Sequence, residues 1–159
     1  MYEERVAKAV ANFKQGYNCA QSVVAAFADI YGFTPEQAFK MAASFGGGIG
    51  RMRMTCGAAC GLFMLAGLET GTVEGSDRKG KSYNYEIVQD LAAKFKEING
   101  SLICAELLGL NEEKNISPYA EARTSEYYKK RPCVAMVETA ARLFADFWND
   151  IVHENIIVR

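Results

Sequence analysis

The stretch from Cys56 to Leu68, CGAACGLFMLAGL, constrains the fold most. It has no charged residue, and its small apolar side chains leave no polar face. A helix that is apolar all round must be enclosed on every side. Thirteen residues are too few to cross a bilayer, which takes about 20. The segment is therefore expected to be a buried central helix, and the rest of the chain must supply apolar faces to cover it.

The flanking segments repeat their apolar residues at helical spacing. Val6, Val10 and Phe13 form a stripe that Gly16 ends. A second helix is expected from Cys19 to Tyr31, with Val23, Val24, Phe27 and Ile30 on one side and Gly32 as its stop. Asn18 and Gln21 read as a capping pair at its start. Thr34-Pro35-Glu36-Gln37 is a fuller start signal for a third helix ending near Ser44. Gly71 to Gly80 is a polar connection. Tyr83, Ile87, Leu91, Phe95 and Ile98 then mark a long amphipathic helix closed by Gly100. A short helix spans Ser101 to Leu108. Leu110 to Arg131 is the least regular part, with a helical turn suggested at Ser117-Pro118. The last helix begins at Pro132 and carries Val137, Ala141, Phe144 and Trp148 toward the core. No run alternates at period two. The expected fold is all-α, a single helical domain over 1–159 with about six or seven helices around the small-residue helix.

A chain of 159 residues can bury about 68–70% of its unfolded surface and needs no disulfide staples. Its 18 basic and 19 acidic residues give a net charge of −1, so neither nucleic acid nor an anionic membrane is an expected partner. The opening MYEERVAKAV is acidic and amphipathic, unlike a signal peptide. Membrane insertion is not expected, and the reading is cytoplasmic. In that reducing compartment five cysteines point to redox chemistry or metal binding rather than permanent bridges.

Four of the five cysteines follow helix-start signals. Asn18 precedes Cys19, Thr55 precedes Cys56, Ser101 stands three before Cys104, and Pro132 precedes Cys133. A thiol at a helix start lies beside the positive end of the helix dipole, which favours the reactive thiolate. The single histidine, His153, is expected on the surface of the last helix, so sulfur should carry any chemistry. Cys56 is expected to be the most acidic thiol, with Arg51 and Arg53 adding positive charge nearby. Cys60 shares a helix face with Cys56, one turn on, and reads as a small buried hydrophobe. The run Phe45 to Gly50 lacks the Gly-Lys-Ser/Thr ending and the strand of a phosphate-binding loop. Its glycines instead allow a sharp turn and leave room around Cys56.

Taken in order, these motifs resemble the C_GCAxxG_C_C family, whose members are described as redox-active proteins. The resemblance rests on Cys19 in Tyr17-Asn18-Cys19-Ala20-Gln21, on Phe45-Gly46-Gly47-Gly48 leading to Cys56-Gly57-Ala58-Ala59-Cys60-Gly61, on Cys104 before Leu107-Leu108-Gly109, and on Arg131-Pro132-Cys133. It covers about Ala7 to Phe144. It implies that Cys19, Cys56, Cys104 and Cys133, with Gly57, Ala58 and Gly61, are the family's defining residues, and it gives Cys60 no role.

Three functional readings follow. In the first, the chain is a thiol redox or electron-transfer protein of the thiol–disulfide oxidoreductase kind. Cys56 is then the nucleophile, one of Cys19, Cys104 or Cys133 resolves it, and the three pairings of four cysteines stay open. Its partner is a redox protein or a small thiol, and no cofactor is required. In the second, the same four thiolates hold zinc or an iron–sulfur cluster. In the third, the chain is a non-catalytic helical interaction domain. A shared site requires the four sulfurs to converge, with the helix starts at Cys56 and Cys133 both facing it.

Overall fold

A computed structural model describes residues 2–110 and 116–157. Its helices are α1 (Tyr2–Lys14), α2 (Cys19–Ala25), α3 (Pro35–Ala42), α4 (Gly57–Thr70), α5 (Arg78–Asn99), α6 (Cys104–Leu107), α7 (Ser125–Lys130) and α8 (Cys133–Ile157). Short 3-10 turns occupy Ala28–Tyr31 and Ala43–Phe45. The fold is all-α, with no strand among the described residues and one isolated antiparallel bridge between Thr55 and Ile103.

Helix α4 is the buried centre, packed against α2, α5 and α8, while α1 lies across α2 and α8. Val6 and Phe13 from α1, Leu62 and Leu65 from α4, Leu91 and Phe95 from α5, and Val137 and Phe144 from α8 meet in one apolar cluster. Phe27 meets Phe144 edge to face, ring centres 5.0 Å apart. Burying each such ring contributes about 1.5–3 kcal/mol. A smaller cluster joins α2 to α3 through Ala20, Val24, Ala38 and Ala42.

The caps read from sequence form as expected. Asn18 accepts from the Gln21 amide at 2.9 Å, and the Gln21 side chain accepts from the Asn18 amide at 3.0 Å. Thr34 and Gln37 make the same reciprocal pair at the start of α3. Other boundaries differ. Helix α2 stops at Ala25 instead of reaching Tyr31: the Ala26 and Phe27 amides bond Val23 O and Val24 O, three residues back, and Arg5 takes the Ala26 carbonyl at 2.9 Å. The Ile30 amide then bonds Phe27 O at 3.0 Å, which tightens the chain into a 3-10 turn that Gly32 closes at φ 83°.

Helix α5 begins before its first apolar residue, since Asp77 accepts from the Gly80 amide at 2.9 Å and starts it at Arg78. It overhangs the core at both ends, leaving Tyr83 and Ile98 exposed, while Leu91 and Phe95 are buried. Trp148 lies at the rim of the core rather than inside it. The Ser117-Pro118 turn is not helical. Helix α7 forms further on, where Thr124 caps the Tyr127 amide at 3.2 Å.

The contact between α2 and α4 places the cysteines. Gly57 and Gly61 are one turn apart on α4 and face α2. A Cβ on Gly57 would lie 2.8 Å from Phe45 O and 3.3 Å from the Cys19 Cβ. One on Gly61 would lie 3.0 Å from the Val23 Cβ and 3.1 Å from Ala20 O. Without side chains there, the start of α2 comes directly against the start of α4.

Candidate functional site

Cys19, Cys56, Cys104 and Cys133, distant in sequence, line one cavity of about 60 Å³. All are free thiols. Cys60 is buried outside the cavity wall, its thiol 3.8 Å from Thr55 O. His153 is exposed on α8, as expected.

The four form an outer and an inner pair. Cys19 and Cys133 are the first residues of α2 and α8 and are half-buried. Cys19 donates a hydrogen bond to Cys133, so Cys19 keeps its proton and its pKa rises well above the ordinary thiol value. Cys133 moves the other way, to about 7. The Cys19 hydrogen bond is the main cause; burial opposes it, and Arg131, Arg123 and Arg53 assist.

Cys56 and Cys104 are deeper, 5% and 7% exposed. The Thr55–Ile103 bridge holds them side by side: the Cys56 amide bonds Leu102 O at 2.7 Å, and the Cys104 amide bonds Met54 O at 2.6 Å. Burial pushes the Cys56 thiol up to about 11, outweighing the Ala59 and Ala58 amides that favour its thiolate. Burial also raises Cys104, against Arg53, whose Nη1 lies 3.7 Å from its sulfur.

Two sequence expectations are corrected here. Cys56 is not the most acidic thiol; Cys133 is. The helix dipole contributes about 0.3–1 kcal/mol, less than one pKa unit, whereas burial of a thiol shifts it by several. Moreover, Arg53 reaches Cys104, and Arg51 is turned away to Ser117 O at 3.0 Å. The start signals also act differently in detail. Cys56 itself is the N-cap of α4, because Thr55 is held in the bridge. Ile103 caps α6, and Ser101 orders the turn before it by accepting the Ile103 amide at 2.9 Å and donating to Glu106.

The glycine-rich loop forms the wall beside Cys104. Gly47, Gly48, Ile49, Gly50 and Arg51 all have φ between 57° and 73°. A Cβ on Gly48 would lie 2.5 Å from the Cys104 Cβ. The left-handed conformation costs Ile49 and Arg51 about 1–2 kcal/mol each. Hydrogen bonds from the Arg53 amide to Gly47 O at 3.1 Å and the Met54 amide to Gly48 O at 2.9 Å tie the loop down.

The segment that looked least regular in sequence supplies three more wall residues, Arg123, Tyr127 and Arg131. Arg123 donates to Phe13 O at 2.8 Å and Tyr17 O at 3.0 Å, with its guanidinium 4.3 Å from the Phe13 ring centre. That fastens Arg123, Tyr127 and Arg131 in the cavity wall. The signal for α7 was present in Thr124-Ser125-Glu126, a capping residue followed by an acid, and in Lys129-Lys130 at the far end. Six residues are too few to show a period.

As for metal binding, no group of three or more Cys, His, Asp or Glu side chains among the described residues is arranged to hold an ion. No helix among the described residues is long and apolar enough to cross a membrane.

No curated protein and no solved structure matches the chain significantly. A family described as "Putative redox-active protein (C_GCAxxG_C_C)" matches residues 17–147, a span that holds all four cavity cysteines and both glycines of the α2–α4 contact. With that match over most of its length, the chain belongs to the C_GCAxxG_C_C family of redox-active proteins.

Proposed function

We propose that this protein carries out thiol–disulfide exchange, with Cys133 as the nucleophile and Cys19 as the resolving thiol. The observation that carries this reading is that Cys19 and Cys133, each the first residue of a helix, line one cavity with Cys56, Cys104 and the arginines Arg53, Arg123 and Arg131. The Cys133 thiolate attacks one sulfur of a disulfide. A Cys133–substrate bond forms as the substrate S–S bond breaks, and the first thiolate departs with the electron pair. Cys19, losing its proton to water or to the departing thiolate, then attacks the Cys133 sulfur and expels the second thiolate. The protein ends with a Cys19–Cys133 disulfide, oxidised by two electrons, and the substrate disulfide ends as two thiols. A cytosolic location suits five unpaired thiols.

A free-thiol count across a glutathione redox series tests this reading. The count should fall from five to three in one two-electron step. A count that stays at five up to the most oxidising buffer contradicts it. So does stoichiometric zinc or iron retained under oxidation.

A further inference from the structure

Beside the thiol cavity lies a larger one of about 450 Å³, and the two share Asn18, Gly47, Arg53, Arg123, Tyr127 and Arg131 in their walls. Arg51 completes a set of four arginines around this outer chamber, half of the eight in the chain. Among the described residues, Glu121, paired with Arg131, is its one acidic wall residue. The described wall residues thus carry three positive charges in excess, in a protein whose net charge is −1.

The arginines are held by fixed partners. Arg51 donates to Ser117 O, Arg53 reaches the Cys104 sulfur, and Arg123 spans two carbonyls while resting on the Phe13 ring. Each guanidinium carries five N–H groups, so donors remain on every one. Structural roles account for where these side chains lie. They do not account for four cations around a single described carboxylate in a chamber that leads to a thiolate. Its volume suits a small molecule, since ligand pockets run at about 300–1,000 Å³.

We infer that the outer chamber binds the substrate of the exchange reaction and that this substrate is a small disulfide bearing carboxylates. Its anionic ends sit among Arg51, Arg53, Arg123 and Arg131, and its sulfur enters the inner cavity beside Cys133. The inference rests on the exchange reaction proposed above and names its substrate class. The disulfide is the oxidant: it takes the two electrons that Cys19 and Cys133 give up, and both halves leave as thiols.

The test uses the fully reduced protein and three probes: oxidised glutathione (anionic), bis(2-hydroxyethyl) disulfide (neutral) and cystamine (cationic). The rate of thiol loss for each is divided by its rate with free 2-mercaptoethanol, which removes the probes' intrinsic reactivity. The normalised rate should be about tenfold higher for the anionic probe than for the neutral one, and lowest for the cationic one. The advantage should shrink as salt is raised. Arg51 lies outside the inner cavity, so R51Q should lower the anionic-to-neutral ratio several-fold, and R51K should restore it. Rates independent of probe charge and salt, or a preference for cystamine, would overturn the inference while leaving the exchange reaction in place. If the neutral probe also leaves Cys19 and Cys133 reduced, the exchange reaction itself fails, and this substrate with it.

Discussion

The outer and inner cysteine pairs start from the same local design and end in opposite states. Each of the four cysteines lies at or next to a helix start, and all four line one cavity. Cys133 is only half-buried, receives a hydrogen bond from Cys19 and lies among arginines, so it gives up its proton readily. Cys56 is almost fully buried and keeps its proton. A helix start therefore does not by itself make a reactive thiol. Its effect prevails only where water or a second donor relieves the cost of burying the charge.

The largest effect that can break this comparison lies in the inner wall. Gly48→Ala places a methyl group on the Cys104 Cβ at a position with φ 73°. Overpacking and left-handed strain together should cost about 2–5 kcal/mol, read as a lower denaturation midpoint. A loss under about 1 kcal/mol would mean that the loop does not press on Cys104.

Next in size is the pH response of the outer pair. A thiol reacts as its thiolate, so the exchange rate should climb as pH rises through about 7 and level off by about 8. A Cys56 nucleophile would keep the rate climbing toward 11. Cys19→Ala removes the donor that stabilises the Cys133 thiolate. The Cys133 pKa should then rise by about one to two units, since a hydrogen bond to a charged group contributes about 1.5–3 kcal/mol. Alkylation of Cys133 across a pH series reads this shift. Cys19→Ser retains a donor and should shift the profile less. Identical profiles for the two variants would mean that the hydrogen bond is not the cause.

The smallest effect belongs to Cys60. It lies outside the cavity wall, so Cys60→Ala should leave the exchange rate unchanged and cost about 1 kcal/mol of stability for the lost sulfur packing. A large drop in rate would extend the reactive set beyond the two pairs.

Much of this was legible in the sequence, because the relevant physics is local. The central helix followed from a segment with no polar face, and α2 and α3 from reciprocal caps within four residues. The convergence of the four cysteines entered as the condition a shared site must meet, not as a deduction from the helix starts. Which thiol is acidic was not legible. That depends on burial and on Arg123 and Arg131, brought in by a segment fastened through carbonyls more than a hundred residues away. The 3-10 turn after Ala25 likewise involves a contact that sequence does not show, the hydrogen bond from Arg5 to the Ala26 carbonyl across the fold.

The central claim is that the outer pair reacts and the inner pair does not. Its most direct test is to oxidise the reduced protein with one equivalent of a small disulfide, block the remaining thiols, and map the products by peptide mass spectrometry. The account predicts a Cys19–Cys133 disulfide, with Cys56, Cys60 and Cys104 alkylated as free thiols. A Cys56–Cys104 disulfide as the first product, or Cys56 in the first mixed disulfide, would contradict it.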